Sequence, residues 1–158
     1  MVGVMVKGFS GLNDAEMELM LKAPLLVCIL IAGADGDIDR KEIREAINLT
    51  QARQKGDTEL TGYFKEVSQD FEDKLKILIQ SYPYESTQRT PLLVQELGQI
   101  SSVWKKIDNA FAVQLYKVLK ELAAKIASSS GGLWGMNKVN AEEAKLLQLT
   151  MISDPSKN

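Results

Sequence analysis

Apolar positions recur at helical spacing along nearly the whole chain, and each run ends in a polar or glycine-rich turn. Asn13, with Glu16 three residues on, reads as a capping box opening a helix. Leu19, Leu21, Leu25, Leu26, Ile29 and Leu30 then make that helix apolar on nearly all sides, the mark of a central, buried element. Pro24 lies inside it and predicts a kink or a break into two pieces. A second helix is expected from Asp39 to about Ala52, with Ile43, Ala46, Ile47 and Leu49 inward. A third, capped by Asp57 or Thr58, is expected to reach about Ser81 on the stripe Leu60, Phe64, Val67, Phe71, Leu75 and Leu78. Residues 82–86 break it.

Thr90-Pro91 reads either as an N-cap with proline in the first turn or as preceded by a further turn of helix, in a helix running to about Lys106. Asp108 opens another, with Phe111, Leu115, Val118, Leu119, Leu122 and Ile126 on one face. A flexible loop at 128–132 leads into Leu133-Trp134-Gly135, and Asn140 begins a final helix to about Ile152. Trp134 has two readings, a plug onto its own core or an exposed contact for a partner. No alternation of strand type persists. The expectation is an all-α fold, a single compact bundle of six or seven helices. Residues 1–12 form an N-terminal segment, 13–152 the helical domain and 153–158 a tail expected to fray. The segment 24–32 should be the most buried.

Composition narrows the chemistry. The chain has 158 residues, 25% of them charged and 45% apolar, which suits one ordinary globular domain. Its net charge of −2 and lack of a basic stripe around its aromatics argue against a nucleic-acid partner. Histidine is absent, which removes the usual general base, the usual zinc ligand and every histidine-dependent triad. Cys28, the single cysteine, sits in an apolar run and reads as a core residue, in keeping with a reducing cytoplasm. The longest apolar run, 23–34, falls short of the ~20 residues a membrane-spanning helix needs, so no direct membrane insertion is expected. These readings point to a non-enzymatic protein.

The segment Asp35-Gly36-Asp37-Ile38-Asp39-Arg40-Lys41-Glu42 matches the second half of a helix–loop–helix calcium loop. The glycine permits the sharp turn, Ile38 points into the core and Glu42 returns on the next helix. Asp35, Asp37, Asp39 and Glu42 are the candidate metal ligands: Asp35 and Glu42 through carboxylates, Asp37 through its carbonyl, Asp39 directly or through water. Ile31 and Gly33 stand where the first half of the pattern needs oxygen ligands, so affinity for a divalent cation, calcium foremost, would be weak. The competing reading needs no metal: Asp39 is an N-cap and Glu42 its capping-box partner, worth about 1 kcal/mol. A second acidic group, Glu59, Glu66, Asp70 and Asp73, falls on one side of the predicted third helix and reads as a solvated face.

The loop has an echo at 139–143, where Val139, Asn140 and Glu143 repeat the apolar anchor, cap and glutamate of Ile38, Asp39 and Glu42. Two helix–loop–helix units would make a pseudo-repeat, although capping alone can generate the likeness.

Residues Ala34, Asp35, Gly36, Ile38 and Glu42 also carry a family resemblance. An apolar helix followed by Ala-Asp-Gly, an apolar residue two positions later and a glutamate four beyond that resembles the tellurite-resistance TerB-like family. The second unit lacks the Asp-Gly pair. The resemblance, spanning 13–152, implies an all-helical bacterial protein, cytoplasmic, with a role in tellurite, metal or general stress response. It further implies acidic cation sites and docking to other proteins near the membrane, as in related domains of DnaJ-like co-chaperones. The alternative is a metal-free protein–protein adaptor or oligomerising domain. Tyr63, Tyr82, Tyr84, Trp104 and Trp134 are the aromatics to watch at a partner surface, with Trp104, at the end of an amphipathic helix, reading rather as core or half-core.

Overall fold

The structure, a computed structural model, describes residues 7–34, 38, 40–56, 58–129 and 141–157. Among them there is no strand, and the protein is all-α. In chain order the helices are α1 (Asp14–Ala32), α2 (Arg40–Ala52), α3 (Glu59–Ser68), α4 (Phe71–Ser81), α5 (Ser86–Gly98), the single turn α6 (Ile100–Val103), α7 (Asn109–Ser129) and α8 (Ala141–Leu147).

Helix α1 is the hub and touches each of the other helices. Every residue from 24 to 32 is buried, as an element apolar all round requires. Asn13 accepts from the Glu16 amide and Glu16 accepts from the Asn13 amide, so the expected capping box is present. Pro24 does not break the helix. It removes one amide, and the Met20 carbonyl that would have accepted from it takes the Tyr63 hydroxyl at 2.5 Å instead. Tyr63 also joins Phe9, Phe64 and Phe111 in an edge-to-face aromatic cluster with centroids 5.0–6.0 Å apart. On α7 the expected stripe is buried throughout, and Asp108 accepts from the Phe111 amide at its start.

Four expectations are corrected. The long third helix is two helices: Asp70 takes the left-handed conformation (φ 53°), which aspartate tolerates better than most residues, and the chain turns there. Phe64, Val67, Phe71 and Leu75 are all buried, but on two helices that meet α1 separately. Helix α5 begins at Ser86, so a turn of helix does precede Thr90 and Pro91 lies inside it, but the segment to Lys106 is interrupted after Gly98. The last helix ends at Leu147, where the Leu149 and Thr150 amides bond back to the Leu146 and Lys145 carbonyls. Leu149 takes the left-handed position (φ 50°) that glycine usually fills in such a C-cap, and its side chain is buried.

The tail at 153–157 is tied down rather than frayed. Trp104 Nε1 donates to the Ser153 carbonyl at 2.9 Å, Asn109 Nδ2 to the Pro155 carbonyl at 2.9 Å, and Pro155 is buried. The loop 130–140, with Trp134 and most of the second unit's turn, lies outside the described residues.

Candidate functional site

Two features could carry function: the joint between α1 and α2, and a groove along α1.

At the joint, Asp35, Asp37 and Asp39 lie outside the described residues; Glu42 does not. It sits in the first turn of α2 and is 4% exposed, an uncommon environment for a glutamate. Ile38 packs against the core, as expected.

Sequence reasoning missed the residue that organises this region. Arg89, on α5, is 2% exposed. Its Nη2 donates to the Gly33 carbonyl at 2.8 Å and its Nη1 to the Tyr84 carbonyl at 2.6 Å. One guanidinium thus clamps the C-terminal end of α1 to the turn before α5. Gly33 makes room for it: a Cβ there would stand 2.5 Å from Arg89 Nη2 and 3.1 Å from Ile38. The signal was present in the sequence, since Arg89 occupies the same stripe as the buried Leu93, Leu97 and Ile100.

The clamp bears on metal chemistry. A guanidinium stays protonated in proteins, so Arg89 brings a permanent positive charge to the base of the acidic loop. A permanent positive charge held at the Gly33 carbonyl opposes a divalent cation bound close beside it. Among the described residues no group of three or more acidic, cysteine or histidine side chains could hold a metal ion.

The second feature is a groove of about 560 Å³ between α1 on one side and α3 and α4 on the other. Met17, Leu21, Leu25, Val67 and Leu78 form its apolar floor, and Ile77, 67% exposed, stands on its wall. Asp14, Glu18, Glu66 and Lys74 edge it. Lys22 also lines it, with its charge taken up by Glu96 at 2.5 Å, and Glu96 in turn accepts from the Tyr82 hydroxyl. Glu66 therefore belongs to the groove. The acidic face expected on a single third helix is divided by the turn at Asp70.

Trp104 is a core residue, as its place at the end of an amphipathic helix suggests; of the other aromatics considered for a partner surface, Tyr63 is also in the core and Tyr82 is half-buried. Tyr84 alone among those described is well exposed, at 75%. Burial pushes the Cys28 thiol and the Tyr63 phenol well above their ordinary pKa values, so neither is a ready nucleophile or acid. Among the described residues no helix is long and apolar enough to cross a membrane. Comparison of the chain with protein-family models, with curated proteins and with solved structures gives no match.

Proposed function

We propose that this protein is a non-enzymatic helical interaction module that docks a segment of another protein in the groove along α1. One observation carries the reading. A groove of about 560 Å³ with an apolar floor, and with Ile77 67% exposed on its wall, leaves apolar surface without a partner helix. Such grooves between helices are a recurring site for peptide recognition. The buried thiol and phenol and the absence of histidine support a binding role over a catalytic one. The test compares the proteins recovered from an extract of the source cell by the wild type and by Ile77→Lys. Position 77 is exposed, so the melting temperature should hold while specific partners are lost. Identical sets recovered by both would overturn the proposal.

A second reading follows the TerB-like resemblance. In it the joint binds a divalent cation through Asp35, Asp37, Asp39 and Glu42 and serves a cytoplasmic stress or tellurite response. The place of Glu42 in the first turn of α2, at the end of the loop where the calcium-loop pattern wants its last ligand, favours it. The Arg89 charge at the base of the same loop weighs against it.

A further inference from the structure

The charge around the groove specifies its occupant. Asp14, Glu18, Glu66 and Lys74 edge it, and among the described residues none of the four enters an ion pair. Lys22, the other cation in the lining, is already held by Glu96. Three carboxylates therefore face the occupant against one ammonium. The shape is equally specific. The α1 wall runs from Asp14 to Leu25 through positions 17, 18, 21 and 22, one face of the helix over about three turns or 16 Å. Its floor is a strip of aliphatic side chains along that length.

We infer that the groove takes a basic amphipathic helix of a partner protein: an apolar stripe at i, i+4 and i+7 on the floor, flanked by Lys or Arg that meet Asp14, Glu18 and Glu66. This rests on the groove reading above. A second copy of this chain fits less well, because an isologous contact would set the acidic rim against its own image. An anionic amphiphile meets the same repulsion. A basic helix satisfies the floor and the rim together, and the rim charges steer its approach.

The test uses three labelled peptides of about sixteen residues and fluorescence anisotropy. One has leucines at i, i+4, i+7 and i+11 with lysines and alanines elsewhere, one replaces the lysines with glutamates, and one keeps the lysines but moves the leucines off the stripe. The first should bind at least tenfold more tightly than the other two. Glu18→Lys with Glu66→Lys should weaken it at least tenfold and strengthen the glutamate peptide, and Ile77→Asp should weaken both; melting temperatures confirm that the variants fold. Equal binding of the lysine and glutamate peptides, or no effect of reversing Glu18 and Glu66, overturns the inference. So does a wild type that sediments as a dimer and becomes a monomer with Ile77→Asp, since the occupant is then a second copy. If no peptide binds while Ile77→Lys still loses its partners from extract, the charge argument falls and the groove reading stands. If the groove variants change neither experiment, both fall.

Discussion

The hydroxyl of Tyr63 on α3 donates to the main-chain carbonyl of Met20 on α1, the acceptor that Pro24 leaves without its helical amide. A proline inside a buried helix is thereby tolerated through a side chain 43 residues away in sequence. Tyr63→Phe should cost about 1–3 kcal/mol, the usual penalty for a buried acceptor left unpaired. In a Pro24→Ala background the amide returns and the cost of Tyr63→Phe should fall below about 1 kcal/mol, the coupling being the mark of a shared acceptor. Urea denaturation of the four proteins measures it. Equal costs in both backgrounds would show that the ring, and not the hydroxyl, is what α1 needs.

Arg89 and Gly33 make a second such pair. Arg89→Met removes both clamped donors and should destabilise by roughly 3 kcal/mol, with two carbonyls losing their partners. Arg89→Lys should recover little, because an ammonium cannot reproduce the spread of the planar fork between Gly33 and Tyr84. Gly33→Ala should cost about 1–3 kcal/mol through overpacking against the guanidinium, and less once Arg89 has been shortened. Thermal melts of the single and double variants check the order.

Calcium separates the two functional readings. With Arg89 supplying the positive charge at the loop, the melting temperature should not move at millimolar calcium, and Glu42→Gln should respond as the wild type does. A cation site would instead add about 2.7 kcal/mol at a hundredfold excess over its dissociation constant, and Glu42→Gln would abolish the gain. Calorimetry with and without calcium decides between them.

The capping box sets part of the acid response. The Lys106 side chain, then the Asn13 amide, holds the Glu16 carboxyl below its ordinary 4.5. A depressed folded pKa stabilises the protein above the unfolded value, and that stability is lost as pH falls from about 4.5 through the lowered value. The wild type should therefore hold its advantage over Glu16→Gln from neutral pH down to about 4.5 and lose it progressively as the pH falls further. Urea midpoints for the two proteins across that range test it; a constant gap would mean that Glu16 acts by packing alone.

The tail should matter for stability. Trp104→Phe removes the indole donor to Ser153 and should cost about 1 kcal/mol. Cleavage at the tail by a protease should be faster in that variant. Unchanged cleavage would show that Pro155 and Asn109 hold the segment without the indole.

Periodicity made the hub legible, because a helix apolar all round has only one place to go. It also exposed the α7 stripe and the caps at Asn13 and Asp108, where side-chain chemistry and chain position coincide. It misread the segment from Glu59 to Ser81, since Phe64, Val67, Phe71 and Leu75 keep helical spacing across a turn that one left-handed residue creates. Spacing records which positions are buried, and φ at Asp70 is not among the things it records. Arg89 escaped for the opposite reason: its place on the stripe was visible, but arginine is presumed exposed until a cluster of carbonyls is found around it. Of the candidate ligands, Glu42 is placed at the expected end of the loop, while the groove joins residues from three helices and has no linear signature.

Phe9 and Pro155 meet the same turn of α7, Phe9 through its ring 5.9 Å from Phe111 and Pro155 through its carbonyl on Asn109. During synthesis the first half of the chain can gather around α1 early, yet this turn acquires its last neighbours only after residue 155 has left the ribosome. This turn therefore waits for a closing contact between segments made early and late, of a kind that forms more slowly than the local contacts around α1.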